Sequence, residues 1–271
     1  MNIKRFIGKI VPILIFLGTI IFLFLNTPAG LDKRLWEMGS AVCHQLPDHS
    51  FSLNGHQFPL CARCTGSFLS AFIAILFFLV QGKKSALPPK SIIILFSLFF
   101  VFWVVDGINS FSSEVLNQQF LYAPSNLLRF LSGIGMGMVF ALIILTIFNK
   151  VMWKESQDSA LVENWRQMDL LLLCESPLLL FPFLRSDFLF TLAGFFSIAA
   201  VITMIALLYT TLFVIFSHRE GTYGQFADVI FPLLIGFSIA LLQILFMRNV
   251  RQTLSPLSSY FHDYRFIGGL L

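Results

Sequence analysis

The sequence predicts an all-α integral membrane protein: a bundle of six or seven transmembrane helices with a Cys/His-bearing outer loop. Three observations carry that reading. First, 57% of the 271 residues are hydrophobic and 12% are charged, whereas a soluble domain carries about 25% charged residues. The mean hydropathy of +0.83 agrees. Such a chain lacks the polar surface to cover itself in water, and a bilayer removes that need. Second, the apolar residues come in runs of about 20, the length at which a helix crosses the hydrocarbon core. Third, no repeated alternation of polar and apolar residues separates them, which argues against a membrane β-barrel. The 33 phenylalanines then serve as lipid-facing or packing groups, not as a cofactor box.

The spans follow in order. Span one runs from Phe6 to Leu25, behind Lys4 and Arg5. Small residues after it offer a cleavage point, but the apolar run exceeds a usual signal-peptide core, so it reads as a retained span. Span two covers Cys61 to Val80, span three Ser91 to Ile108, and span four Asn126 to Phe148. Asp169 to Leu184 is apolar but short, and Glu175, Pro177 and Pro182 interrupt it. Leu189 to Phe216 and Phe226 to Met247 complete the set. Residues 1–150 thus form a four-span region, and 151–271 a two- or three-span C-terminal region.

Lysine and arginine give direction, because they mark the cytoplasmic side. Lys4, Arg5 and Lys9 precede span one; Lys83, Lys84 and Lys90 follow span two; Lys150, Lys154 and Arg166 follow span four. The alternate loops hold Lys33 and Arg34 in the first and none between spans three and four. The N-terminus is therefore expected in the cytoplasm, with the first loop outside. The interrupted run decides the other end. Seven crossings are favoured, although they place Arg248, Arg251 and Arg265 on the unfavoured side.

The net charge of +4 needs no nucleic acid to explain it, because membrane topology accounts for the cations. The bilayer is the one partner the sequence names. There is no glycine-rich phosphate loop, no nucleophile elbow and no long repeat. The longest polar stretch, about residues 27–60, is too short to build a core of its own.

Chemistry gathers in one stretch, Cys43 to Gly66, which holds Cys43, Cys61 and Cys64 with His44, His49 and His56. Thiolate and imidazole are ligands of tetrahedral zinc and of several iron and copper sites. Cys61-Ala-Arg-Cys64 has the spacing of half such a site, and Cys43 with His44 could supply the other half if the backbone turns there. His49 and His56 are candidate replacements for His44. Asn54-Gly55 signals a tight turn that would bring Cys43 toward Cys61. The expected cofactor is one zinc ion, with iron or copper as alternatives.

Two other chemistries fit the same residues. Cys61 and Cys64 open span two, where the helix dipole and Arg63 favour thiolate, as in membrane thiol-disulfide oxidoreductases. A structural disulfide is the plainer reading, although three external cysteines cannot all pair within one chain. Cys174 lies in an apolar run and reads as a small core residue.

The elements Cys-His-Gln at 43–45, Pro-Leu-Cys-Ala-Arg-Cys-Thr-Gly at 59–66, Val-Asp-Gly at 105–107 and the 125–137 stretch of span four resemble a family of predicted bacterial and archaeal membrane proteins catalogued as domain of unknown function 2085. The resemblance covers about residues 40–145. It implies that Cys43, His44, Gln45, Cys61, Arg63, Cys64 and Gly66 belong to the family motif, which ranks His44 above His49 and His56. It implies a plasma-membrane location and no activity.

Ionisable residues inside spans are costly and therefore informative. Asp106 lies about 22 Å along span three, at 1.5 Å per residue, near the outer interface. Arg63 and Arg129 belong to the same layer, and Asp106 is expected to pair with one of them. Asn126, Arg129, Gly133 and Gly137 share one helical face, where Gly133-x-x-x-Gly137 permits close approach; it is read as packed inward, toward Asp106. Glu175 is read as a neutral carboxyl, or one bonded to backbone that Pro177 frees. A transporter or channel using Asp106, Arg129 and Glu175 is the weakest reading, since no repeat-related pair of broken helices is visible.

Overall fold

The computed structural model describes the backbone of residues 3–26, 29–116 and 119–267, and the side chains of residues 13–22, 25–26, 29–116 and 119–254. Lys4, Arg5, Lys9 and Arg265 lie outside the described side chains. The helices are α1 (Ile3–Asn26), α2 (Leu31–Gly39), α3 (Ala62–Val80), α4 (Lys90–Leu116), α5 (Asn126–Met152), α6 (Trp165–Glu175), α7 (Asp187–Phe216) and α8 (Phe226–Ile267). Among the described residues, α3, α4, α5, α7 and α8 are long and apolar enough to cross a membrane, and Ile13–Phe22 of α1 adds a shorter apolar stretch. The protein is an all-α membrane protein.

The α3–α5 pair is the most extensive contact, and glycines create it. A methyl group on Gly66 would collide with the backbone of α5 at Phe130, and one on Gly133 or Gly137 with the backbone of α3 at Arg63 and Ser67. Small residues let two helix backbones touch where lipid offers no hydrophobic drive. The glycine face of α5 is thus spent on α3. Around this pair α4 packs on α5, α7 on both, α8 on α7, and α1 on α8. One apolar core draws on residues from Leu35 to Ile244.

The bundle has two distinct ends. At one, β3 (Lys84–Ala86) pairs in parallel with β4 (Gln157–Ala160). Lys84 bonds Glu163 at 2.9 Å, and the Lys83 ammonium lies 3.9 Å from the Trp153 ring centroid. At the other end, α2 packs on α7 and α8, and the hairpin of β1 (Ser52–Leu53) and β2 (His56–Gln57) precedes the start of α3. Asn54 and Gly55 form the hairpin turn with φ of 49° and 81°, the left-handed pair that a two-residue turn requires.

The interrupted run links the two ends, but not as one helix. α6 supplies 11 residues, and a 3-10 helix over Ser176–Phe183 supplies 8 more. Together they reach about 30 Å, the thickness of a hydrocarbon core. Pro177 and Pro182 explain the change of winding, since neither can donate to an α-helical ladder. Phe181, near the far end, stacks on Phe130 of α5 at 5.2 Å and meets Phe58 of the cysteine-end loop at 5.2 Å.

One expectation for this segment is corrected, and one of the two alternatives for Glu175 is removed. Cys174 is exposed, not buried, because Met168, Leu171 and Glu175 hold the inward face of α6. Glu175 is 3% exposed, and its carboxyl oxygens find no hydrogen-bond partner among the described residues, so no freed backbone group takes it.

The far part of α8 returns to the cysteine end. Arg248 donates to the carbonyl of Asn26 at 2.7 Å, and its Nε stands 3.8 Å from Glu37. Arg248 and Arg251, two of the three arginines that counted against seven crossings, are therefore engaged in specific contacts at that end.

Candidate metal centre

The loop into the site is clamped by two glutamines. Gln45 is left-handed, with φ 55°, so the chain turns directly after His44. Its buried side chain donates to the carbonyls of Trp36 and Pro59, both at 2.8 Å. Gln57 returns the favour by donating to the carbonyl of Gln45 at 2.9 Å. These bonds lay the Cys43 segment against the Pro59–Cys61 segment. They give Gln45 a structural reason to sit in the motif.

Cys61 is the N-cap of α3, and Cys64 lies in its first turn. The Sγ atoms of Cys43, Cys61 and Cys64 all lie within 4.8 Å of one another, and all three thiols are free. The Cys61 amide donates to Cys43 Sγ at 3.1 Å. Hydrogen bonds from the Cys61 and Cys64 thiols, then from His44 and that amide, hold the Cys43 thiol well below its usual range against the opposing effect of burial. These contacts therefore favour the thiolate at Cys43, the form that binds metals and attacks disulfides.

His44 stands beside the sulfur group, with Nδ1 3.8 Å from Cys43 Sγ. Its contacts with Cys43 and then Cys61 push its pKa up to about 10. His44 Nε2 lies 3.2 Å from His49 Nδ1, and His49 Nε2 lies 3.1 Å from Glu114. A chain of two imidazoles and a carboxylate thus leads outward from the cluster. Burial first, and then the Arg129 charge, hold the His49 pKa down. His56 goes elsewhere: it sits on β2 and lines a separate cavity with Asp32, Glu37 and Asp187. The hairpin turn directs it away from the sulfurs.

Asp106 is fully buried and pairs with Arg63. Tyr122 donates to its other oxygen at 3.0 Å, and Ser132 donates at 3.3 Å. Arg63 also donates to Ser110 at 3.1 Å. The Tyr122 phenol, pushed up to about 12 by burial and then by Asp106, stays a donor. Arg129 is instead bound to Asn126, at 2.9 Å, while Asn126 donates to the Ser50 carbonyl at 3.3 Å. Beside the sulfurs, a cavity of about 250 Å³ is lined by His44, His49, Cys61, Arg63, Glu114 and Arg129.

Several members of this site escape a reading of the sequence alone. Ser110 and Glu114 follow Asp106 at steps of four, which a helical-face count from Asp106 would have found. Tyr122 lies in a loop, and Arg251, which donates to the carbonyls of Ser40 and His44, lies in the last helix; neither carries a local signal.

An uncharacterised protein of Methanothermobacter thermautotrophicus is 35% identical over 104 residues, which is 38% of this chain and 83% of that relative. An uncharacterised protein of Methanocaldococcus jannaschii is 28% identical over 123 residues, 45% of this chain and 72% of that relative. No solved structure matches the chain. The family model described as predicted membrane protein, domain of unknown function 2085, matches residues 43–143, the segment from Cys43 through most of α5 that carries all three clustered cysteines, and the chain belongs to that family.

Proposed function

We propose that Cys43, Cys61 and Cys64 bind one metal ion, with His44 as the fourth ligand, and that zinc is the ion the donor set suits best. The mutual approach of the three sulfurs within 4.8 Å carries this reading. Thiolates at about 2.3 Å from a tetrahedral zinc lie about 3.8 Å apart, so the sulfurs need only a small contraction. The His44–Cys43 separation of 3.8 Å is close to the roughly 3.5 Å between a nitrogen and a sulfur ligand of one zinc. Ligand histidines use their second nitrogen for an outer hydrogen bond that orients the ring; His49, backed by Glu114, is placed for that task.

In this reading the metal holds the outer loop onto the helix bundle. Ordering roughly thirty loop residues costs entropy that so small a polar segment cannot offset alone. We place the cysteine end outside a prokaryotic plasma membrane and the N-terminus in the cytoplasm, on the distribution of Lys and Arg.

The test is metal analysis of the full chain purified without chelator, alongside a count of free thiols. About one zinc, iron or copper ion per chain is expected. Metal-free protein with a stable Cys43 disulfide would leave a structural bridge. A reducible Cys61–Cys64 bond, with a mixed disulfide trapped when one of the pair is replaced, would establish the oxidoreductase reading instead.

A further inference from the structure

We propose that the cavity beside the sulfur cluster is a binding site for one small oxyanion, a carboxylate or phosphate-type group, with Arg129 as its cation. This goes beyond the metal reading and stands whether or not the sulfurs hold a metal.

Arg129 is 6% exposed, so it does not snorkel to water from the end of its helix. Its Nη1 donates to Asn126, and its Nε has no partner. The acids nearby bond other groups: Asp106 pairs with Arg63, and Glu114 contacts His49. Among the described residues no carboxylate pairs with Arg129. A buried, unpaired cation is costly, and pairing it with an anion removes the cost. Guanidinium presents a planar fork that suits two oxygens of one anion.

The space fits the charge. The cavity is about 250 Å³, and Gly107 and Ser110 of α4 line it together with Arg129. Gly107 leaves the lining open: a methyl group there would reach only ordinary contact with Arg63, at 3.8 Å, and a larger side chain would extend into the cavity. Ser110 and Arg63 supply further donors. Glu114 contributes one negative charge to the same lining, held there by its contact with His49, which limits the occupant to a small ion. The occupant would lie against Cys61 and His44, next to the sulfurs.

The experiment is calorimetric titration of the full chain in neutral detergent with acetate, bicarbonate and inorganic phosphate, each against a chloride control, with metal content measured in parallel. Saturable binding of at least one of the three is expected, weakened about tenfold or more in Arg129→Gln and partly kept in Arg129→Lys. Gly107→Val, which fills the cavity without removing a charge, should abolish binding and leave metal content unchanged. Repeating the titration in phosphatidylcholine and phosphatidylglycerol nanodiscs identifies the source. Competition by phosphatidylglycerol means that a lipid phosphate reaches the same fork, and its absence means that the occupant is a free ion. No saturable binding of any probe, or Arg129→Gln binding like the parent protein, overturns the proposal. Loss of metal with anion binding intact would defeat the metal reading alone.

Discussion

Arg251 donates from Nη2 to the backbone carbonyl of His44 at 2.6 Å, across 207 positions of sequence. The same guanidinium donates to the carbonyls of Ser40, at 3.0 Å, and Cys43. The last helix thus reaches back and holds the turn on which two of the four proposed ligands sit. Arg251→Ala should weaken metal affinity about ten- to a hundredfold, as loss of an outer partner typically does. Competition with a chromogenic chelator measures this, and an unchanged affinity would remove Arg251 from the site.

The Arg63–Asp106 pair makes a sharper prediction than the sequence allowed. Breaking a buried pair from one side costs about 3–5 kcal/mol, so Asp106→Asn should lower the yield of folded protein. Adding Arg63→Gln should recover part of that loss. Adding Arg129→Gln should not, because Arg129 bonds Asn126 instead. Equal rescue by either arginine variant, read by thermal unfolding in detergent, would contradict the assigned pairing.

The histidines are expected to separate by position. Cys43→Ser, Cys61→Ser, Cys64→Ser and His44→Ala should each reduce metal content. His49→Ala should leave the content near one ion under excess metal while lowering affinity about tenfold. His56→Ala should change neither. Metal loss on replacing His56 would require a ligand set that the hairpin does not permit.

In metal-free protein the His44–Cys43 contact should make stability depend on pH. The folded pKa of His44 is raised from 6.5 to about 10. Its contribution is therefore fully present below about pH 6.5 and lost as pH rises through about 10. The difference in melting temperature between the parent protein and His44→Gln should shrink steadily over that window. A difference that grows with pH would show that the pairing has the opposite sign.

Topology can be read with an impermeant thiol reagent in a background where native thiols are blocked. Ser52→Cys, on the hairpin, should react in intact cells. Glu155→Cys, beside the β3–β4 pair, should react only after the membrane is opened. Thr253→Cys should behave like Ser52→Cys, because Arg251 brings that part of α8 to the cysteine end. Labelling of Thr253→Cys only after permeabilisation would mean that α6 and the following 3-10 helix do not cross.

What the sequence determined by itself is what local physics controls. Hydropathy over windows of about 20 residues marks the membrane helices, because each helix satisfies its own backbone in lipid. Cys61-x-x-Cys64 places two thiols on the first turn of α3, and Asn54-Gly55 turns the loop, because both depend only on neighbouring residues. The tertiary structure alone decided the partners. Periodicity assigns Arg63 and Arg129 to faces of their helices, but packing gives Asp106 to Arg63 and leaves Arg129 facing a cavity. The turn over Pro47–His49 and the hairpin send His49 toward the sulfurs and His56 away, a difference of direction that spacing cannot encode. Cys174 faces outward because Met168, Leu171 and Glu175 already hold the inner face of a short, broken helix. Arg251 reaches Cys43 and His44 only once α8 has packed on α7 and α1, and nothing within its own stretch of sequence records that meeting.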